Sequence, residues 1–264
     1  MYQERDRKNK TALVTGAVSG IGLAFADNLA KQGYDLMIVD IQEEKIIETS
    51  IELKEKYNVN VNYFTLDLSK NDAAERVYEF CINKGIDVHI LISNAGMFAF
   101  DSITDIPSAK YDAMLYLHMN TPAKLCRLFG KDMKERNEGY ILTVSSLSAW
   151  MPYPYLSVYS ATKRFLRTFS RAIHFEFSSY NVGVTTICPG AVDTDLLNLP
   201  PKIHNLAKKL GVMISSDKLA KKSLKRMFNK RVTYIPGLIN KIALPILMVL
   251  PVRFVGFVMR RVMR

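Results

Sequence analysis

Short apolar runs alternate with segments of helical periodicity along most of the chain. The runs are rich in Val, Ile and Leu and end at glycine or polar residues, which predicts strands. The segments between them repeat apolar residues every three to four positions, which predicts amphipathic helices. The predicted strands are 11–15, 35–40, 61–66, 88–92, 140–144, 183–187 and 232–235. The predicted helices are a first one ending at Gly33, then 43–56, 71–83, 108–135, 157–179 and about 215–228.

This alternation predicts an α/β fold in a single domain. Nearly continuous apolar strands indicate burial on both faces, and strand–helix–strand units give parallel pairing with right-handed crossovers. We therefore expect a Rossmann-type doubly wound parallel sheet with helices on both faces. The domain would span residues 1–240, with a basic, apolar tail over 241–264. Within the domain, the pattern loosens over about 191–216, which we interpret as a mobile insertion.

The net charge of +11 comes from one end of the chain. From Lys218 onward there are 12 basic and no acidic side chains, so of the 36 basic and 25 acidic residues the first 217 positions keep 24 and 25, a net charge of −1. The basic segment is also apolar, which favours a membrane surface over nucleic acid. Its uncharged run, 242–252, is shorter than the roughly 20 residues of a membrane span. Two interpretations stay open: an anionic membrane surface, or a subunit interface in a homodimer or homotetramer.

The cysteines and the N-terminal residues predict the compartment. Cys81, Cys126 and Cys188 are odd in number and lack metal-binding spacing, so we expect reduced, buried thiols and no metal site. Residues 1–10 are charged and contain no apolar signal-peptide region. The expected location is cytoplasmic, with the inner face of a membrane as an option because of the tail.

Glycines mark the turn from the first strand to the first helix. Gly16, Gly20 and Gly22 let the backbone approach a pyrophosphate at the positive end of that helix. Asp40 ends the next strand, where a carboxylate accepts hydrogen bonds from ribose hydroxyls and repels a 2′-phosphate. Gly20 is preceded by Ser19, whereas a basic residue at that position would favour binding of a 2′-phosphate. NAD is thus the preferred cofactor and NADP the alternative; Asp40 could instead be a solvated residue that caps the helix over 43–56.

Tyr159 and Lys163 stand four positions apart in a predicted helix, thirteen residues after Ser146. Side chains at this spacing share one helix face, so the phenol and the ammonium can reach one bound molecule. A nearby cation stabilises a phenolate and brings the phenol pKa, ordinarily about 10, toward the working range. The hydroxyl of Ser146 can then hold a substrate carbonyl oxygen.

Together these motifs resemble the short-chain dehydrogenase/reductase family. The likeness runs from about residue 10 to 240, and it includes bacterial hydroxysteroid dehydrogenases and long-chain ketone reductases. The matching positions, in the order of the family, are Thr15, Gly16, Gly20, Gly22, Asp67, Asn94, Ala95, Gly96, Asn120, Ser146, Tyr159, Lys163, Pro189 and Gly190. Ser145 and Ser148 are rivals of Ser146, but the thirteen-residue interval favours Ser146.

The resemblance implies a role for each matching residue. Tyr159 would transfer the proton, Lys163 would bind the nicotinamide ribose, Ser146 would orient the carbonyl, and Asn120 would hold a relay water. The insertion over 191–216 would be the substrate lid. The implied cofactor-binding residues are Gly16, Ser19, Gly20, Ile21, Gly22, Asp40, Asp67, Leu68, Asn94, Ala95, Gly96, Tyr159, Lys163, Pro189, Gly190, Val192 and Thr194.

The predicted function is hydride transfer between a nicotinamide cofactor and the carbonyl or secondary alcohol of a hydrophobic substrate. Steroids, bile acids, 3-ketoacyl chains and sphingoid ketones are the expected classes. The alternative is a non-catalytic NAD(H) sensor or membrane-associated protein on the same fold. The four histidines, His89, His118, His174 and His204, lack partners at metal spacing, so we interpret each as structural. Trp150, Met151, Tyr153 and Tyr155 either line an apolar pocket or pack a loop.

Overall fold

The computed structural model describes residues 9–151, 153–193, 213–251, 253–254, 256–257 and 261. Its main sheet has seven parallel strands in the order β3-β2-β1-β4-β5-β6-β9. These strands are β1 (Thr11–Thr15), β2 (Asp35–Asp40), β3 (Val61–Thr65), β4 (Val88–Ser93), β5 (Gly139–Val144), β6 (Val182–Ile187) and β9 (Thr233–Tyr234). The order reverses between β1 and β4, which is where doubly wound sheets bind ligands.

Helices cover both faces of this sheet. They are α1 (Gly20–Ala30), α2 (Glu43–Tyr57), α3 (Ala73–Asn83), α4 (Ser108–Leu115), α5 (Thr121–Glu135), α6 (Ser157–Ser178), α7 (Ser216–Phe228) and α8 (Leu238–Val249). Successive residues of β1 alternate between two buried clusters: Ala12 and Val14 pack with α1 and α7, whereas Leu13 packs with α3, α5 and α6. The predicted doubly wound α/β domain is therefore confirmed.

The helix predicted over 108–135 is present with those bounds, but its middle is a π-helical turn that was not predicted. A π-helical turn (Tyr116–Asn120) separates α4 from α5. Such a turn inserts one extra residue into the helix, and π turns are frequent at functional sites. It places Asn120 at the start of α5 and buries the side chain of His118. Smaller differences are a later start of α3, at Ala73, and a last strand of two residues.

The predicted lid over 191–216 is described only at its two ends. Strand β7 (Val192–Asp193) pairs in parallel with β8 (Ile214–Ser215), so both ends of the segment meet beside the sheet. Residues 194–212, which include the predicted cofactor contact Thr194, lie outside the described residues. The Ser215 hydroxyl caps α7 by accepting a hydrogen bond from Lys218 N.

The basic tail begins in α8 and continues past it. Leu244 of α8 is buried, whereas Met248, Val249, Phe254 and Phe257 are exposed. Within the described part of the chain, no helix is both long and apolar enough to span a bilayer.

Candidate active site

The glycine turn between β1 and α1 leaves no space for a side chain at Gly16 or Gly22. Gly16 and Gly20 have φ values of +65° and +53°, a region that glycine adopts without steric cost. A Cβ at Gly22 would lie 1.8 Å from the Gly16 carbonyl oxygen. Ser19 is the N-cap residue of α1, and Ile21 packs against the core behind the turn. The turn is thus a backbone cradle at a helix N-terminus, and it fits a pyrophosphate.

The segment after β4 braces this cradle. The Asn94 side-chain amide donates to the carbonyl oxygens of Thr15 and Gly16, at 3.0 and 3.1 Å. The backbone amides of Asn94 and Ala95 both donate to the Thr15 hydroxyl at 3.0 Å. A Cβ at Gly16 would lie 2.9 Å from Ala95 Cα, so the two loops approach as closely as their backbones allow. The predicted cofactor residues of both loops therefore lie together.

Asp40 lies buried beside the cradle. Its carboxylate accepts hydrogen bonds from the backbone amides of Val18 at 3.3 Å and Gln42 at 3.1 Å. Gln42, not Asp40, is the N-cap residue of α2, and Asp40 is only 7% exposed. The alternative of a solvated, helix-capping aspartate is therefore wrong. The carboxylate oxygens keep unused lone pairs for ribose hydroxyls.

Asp67 and Leu68 follow β3 at the same edge of the sheet. The Asp67 carboxylate accepts from the Ser69 amide and hydroxyl, at 2.9 and 2.7 Å, and pairs with Lys70 at 3.5 Å. Partial burial acts to raise the pKa of Asp67, but the Ser69 hydrogen bonds and the Lys70 charge together lower it. The Leu68 carbonyl accepts from the Thr121 hydroxyl at 2.8 Å, which anchors the start of α5.

Tyr159 and Ser146 come together where β5 and α6 meet. Ser146 follows β5 and precedes a 3₁₀ turn (Leu147–Trp150), and its hydroxyl accepts from Ser148 N at 3.1 Å. The sequence predicted that Lys163 would lower the pKa of Tyr159. In the protein chain, burial instead raises that pKa because a buried phenolate loses its hydration, and a hydrogen bond with Ser146 offsets this only in part. Ser145, the rival of Ser146, donates its hydroxyl to the Lys163 carbonyl at 2.8 Å.

Lys163 is buried one helical turn after Tyr159. Its ammonium donates to the Val144 carbonyl at 3.0 Å and lies 5.7 Å from the centroid of the Tyr159 ring. Burial lowers the pKa of Lys163 to about 8, because the interior solvates a cation poorly. A Cβ on Gly96 would lie 3.5 Å from this ammonium, at van der Waals distance, so Lys163 lies directly beside the cofactor loop.

Asn120 presents a polar atom without a partner. Its Oδ1 is buried and has no hydrogen bond within the described part of the chain. Buried acceptors are nearly always satisfied, so the atom fits an ordered water or another bound donor. This observation matches the relay role that the family resemblance implies for Asn120.

Pro189, Gly190 and Val192 lie beyond β6, on the same edge. The Pro189 carbonyl accepts from Leu147 N at 2.9 Å, which joins this loop to the 3₁₀ turn after Ser146. A Cβ on Gly190 would lie 3.0 Å from Leu147 and 3.1 Å from Asn240. The start of α8 therefore lies directly beside the site.

Aromatic side chains line the site around Tyr159, and two of them, Phe98 and Phe100, were not predicted from the sequence. The Phe98 ring meets the Tyr159 ring edge to face, with centroids 5.2 Å apart. Phe100 stacks on Tyr155 at 5.8 Å, and both rings are more than 40% exposed. We call Phe98, Phe100 and Tyr155 the aromatic wall. Of the four residues before Tyr159, Tyr155 joins this wall, while Trp150 stacks on Arg167 and Met151 is buried.

The remaining histidines and the cysteines take structural positions where they are described. His89 pairs with the Asp87 carbonyl and His174 with the Val184 carbonyl, and His118 is treated below. The three cysteines are free and buried, as predicted. His204 lies outside the described residues.

Comparison with known proteins gives curated relatives with two activities. The chain is 32% identical over 198 residues to the very-long-chain 3-oxoacyl-CoA reductase of Mus musculus, a match that includes 73% of this chain and 62% of that protein. This chain thus spans less than two thirds of that reductase. It is 28% identical over 239 residues to the 7beta-hydroxysteroid dehydrogenase of Clostridium sardiniense, covering 90% of this chain and 89% of the relative.

Solved structures share the fold over almost the whole chain. A 7beta-hydroxysteroid dehydrogenase superposes with a TM-score of 0.86 at 24% identity, over 96% of this chain and 98% of the other. The L-sorbose reductase of Gluconobacter frateurii, solved with NADPH and L-sorbose, gives a TM-score of 0.76 at 26% identity, over 87% and 95%. The family profile described as short chain dehydrogenase matches residues 10–201. The chain therefore belongs to the short-chain dehydrogenase family.

Proposed function

We propose that this enzyme transfers a hydride between a nicotinamide cofactor and the carbonyl carbon, or the corresponding secondary alcohol, of a hydrophobic substrate. One observation carries the proposal: the partly buried phenol of Tyr159 is hydrogen-bonded to Ser146 and lies beside the buried Lys163, whose ammonium adjoins Gly96 of the cofactor loop. The nicotinamide, when bound, supplies or accepts the hydride. The protein then has to position the carbonyl and handle one proton.

The chain's own residues divide this work. Ser146 would donate a hydrogen bond to the substrate oxygen, and Tyr159 would give that oxygen its proton in reduction or remove it in oxidation. The ammonium of Lys163 would bind the nicotinamide ribose and favour the phenolate. Asn120 Oδ1 would hold a water behind Lys163, through which the proton is exchanged with solvent.

The aromatic wall supports a bulky, apolar substrate. Phe98 and Phe100 continue from the cofactor loop toward solvent, so apolar area extends from Tyr159 to the mouth of the site. Such area favours substrates that bury hydrocarbon next to the reacting carbonyl. The names of the relatives describe a very-long-chain 3-oxoacyl-CoA reductase and a hydroxysteroid dehydrogenase. We propose a ketone of the steroid, bile acid, 3-ketoacyl or sphingoid type, with the lid over 191–216 covering it.

We propose NAD(H) as the preferred cofactor, with NADP(H) as the second choice. The buried Asp40 carboxylate would accept the adenine-ribose hydroxyls and repel a 2′-phosphate. The Gluconobacter relative was solved with NADPH, so the proposed preference of this chain for NAD(H) rests on Asp40 alone.

The test is a panel of steroid, bile-acid, 3-ketoacyl and sphingoid ketones assayed with NADH and NADPH side by side. We expect turnover of at least one class and a higher kcat/KM for NADH. Asp40→Ser should lower the ratio of NADH to NADPH activity by at least about tenfold, since a hydrogen bond to a charged group contributes roughly 1.5–3 kcal/mol.

Asp35→Ser is the matched control for Asp40→Ser. Asp35 lies at the other end of β2 and its carboxylate also accepts a backbone amide, that of Asn60 at 2.8 Å. The control should keep the wild-type cofactor ratio. Cofactor binding without reduction of any ketone on the panel would favour the non-catalytic sensor instead. An unchanged ratio in Asp40→Ser would refute the NAD preference.

We further propose that the protein is cytoplasmic and that its tail over 241–264 lies on the inner face of an anionic membrane. Phe254 and Phe257 are 52% and 55% exposed, and the sequence from Lys218 onward contains no acidic residue. Apolar side chains flanked by arginines fit the headgroup region, where each basic residue contributes about 1 kcal/mol. Because α8 starts beside Gly190, a bilayer there would adjoin the mouth of the site. A homodimer or homotetramer is the expected assembly.

Vesicle flotation tests the tail. The protein should float with vesicles that contain phosphatidylglycerol and remain in solution with phosphatidylcholine alone or at high salt. The double variant Phe254→Ser, Phe257→Ser should lose flotation, whereas Phe175→Ser, at a 70% exposed position of α6, should not. Loss of the oligomer in the double variant, with flotation intact, would assign the tail to a subunit interface.

A further inference from the structure

His118 occupies the centre of the site, although the sequence gives it no role. Only 1% of the residue is exposed, and it lies in the π-helical turn two positions before Asn120. Its Nε2 accepts a hydrogen bond from the Met97 backbone amide at 2.9 Å. Its Nδ1 lies 3.0 Å from the Thr162 hydroxyl. We call this arrangement of Met97, His118 and Thr162 the His118 bridge.

The hydrogens of the bridge can be assigned from the partners. The Met97 amide is only a donor, so Nε2 must be unprotonated. The Thr162 hydroxyl donates its own hydrogen to the Tyr159 carbonyl at 2.8 Å, so it accepts the hydrogen of Nδ1. Burial, together with the positive charge of Lys163, holds the pKa of His118 well below its usual value. The imidazole is therefore neutral, with its hydrogen on Nδ1, and every polar atom of the ring is satisfied.

The bridge connects the three elements that the proposed reaction requires. Met97 directly follows the cofactor loop over 94–96. Thr162 lies between Tyr159 and Lys163 on α6. His118 itself lies in the π-helical turn that ends at Asn120. A Cβ on Gly96 would lie 3.2 Å from His118 Nε2 and 3.5 Å from the Lys163 ammonium, so the imidazole and the ammonium flank the same glycine. The ring also meets the Tyr159 ring edge to face at 5.7 Å.

We infer that His118 is a positioning residue, which sets the distance between the cofactor loop and the Tyr159–Lys163 pair. The inference rests on the proposed function. The ring does not need to touch the substrate: it fixes Met97 on one side and α6 on the other. A displacement of about 1 Å between reacting groups can lower a rate about 100-fold.

Three substitutions test the bridge. His118→Phe keeps an aromatic ring but removes both hydrogen bonds, so we expect kcat to fall about 100-fold while KM for the cofactor changes less than about threefold. His118→Gln retains an acceptor for the Met97 amide and should recover most of the lost kcat. His174→Phe is the control on α6, because it removes a similar bond, 2.8 Å to the Val184 carbonyl, away from the site. It should leave kcat unchanged.

Amide hydrogen exchange provides a readout that does not depend on turnover. Exchange at Met97 should be at least about tenfold faster in His118→Phe than in the wild type, and should slow again in His118→Gln. Unchanged exchange at Met97, or equal kcat for the Phe variant and the wild type, would show that His118 only fills space. If the wild type reduced no ketone on the panel, the proposed function would fail, while the exchange data would still support or refute the bridge.

Discussion

Tyr159→Phe should abolish turnover and leave cofactor binding largely intact. The substitution removes one hydroxyl from a partly buried ring whose edge contacts, with Phe98 and His118, do not involve that oxygen. The proposed proton transfer then has no donor, and general acid–base catalysis of this kind contributes about 10²–10⁴-fold. We expect kcat to fall by at least about 10³-fold. Stopped assays measure kcat, and the fluorescence of bound NADH measures its dissociation constant, which should change less than about threefold.

Tyr155→Phe is the matched control for Tyr159→Phe. Tyr155 belongs to the aromatic wall and uses its ring, stacked on Phe100, rather than its hydroxyl. The control should retain kcat within about threefold, since removing an exposed hydroxyl leaves the stacking intact. Turnover by Tyr159→Phe at the wild-type rate would exclude Tyr159 as the proton donor and would show that another group donates the proton.

Local sequence patterns could predict the fold and the main residues of the site. Parallel strands follow from apolar runs that alternate with helices, and their carboxyl ends must share one edge of the sheet. The glycine turn, Asp40 and Ser146 all lie at or just after the carboxyl ends of such strands, so their proximity follows from topology. The four-residue spacing placed Tyr159 and Lys163 on one face of α6. Each of these predictions needs only the chain's own periodicity or a familiar motif.

Contacts between distant segments could not be predicted in this way. The π turn at Tyr116–Asn120 differs from a regular helix by one extra residue, which a 3.6-residue pattern does not detect. His118 is bound by Met97 and Thr162, which lie 21 and 44 positions away. The aromatic wall likewise pairs Phe100 with Tyr155 across two loops. The sequence alone does not distinguish a polar helix residue that hydrogen-bonds two distant segments from one that merely fills space.

Lys163→Met should inactivate the enzyme and make the folded protein more stable at neutral pH. Burial lowers the pKa of Lys163 from 10.5 to about 8, so keeping its charge in the folded state costs roughly 3 kcal/mol. Methionine removes that cost. It also leaves the Val144 carbonyl, which accepts a hydrogen bond from the wild-type ammonium at 3.0 Å, without a donor, a loss of about 1–2 kcal/mol. The free energy of unfolding at pH 7 should therefore rise by about 1–2 kcal/mol, while kcat falls at least about 10²-fold.

The pH dependence distinguishes this explanation from better packing alone. Because the folded pKa lies below the unfolded one, the unfolded protein binds more protons between pH 8 and 10.5, and wild-type stability gains with pH across that window. Lys163→Met lacks this gain, so its advantage should shrink by roughly 3 kcal/mol between pH 8 and pH 10.5. Urea unfolding of both proteins measures the difference, with Lys131→Met, at a 76% exposed side chain, as the control. A constant difference across the window would mean that the buried ammonium carries no such cost.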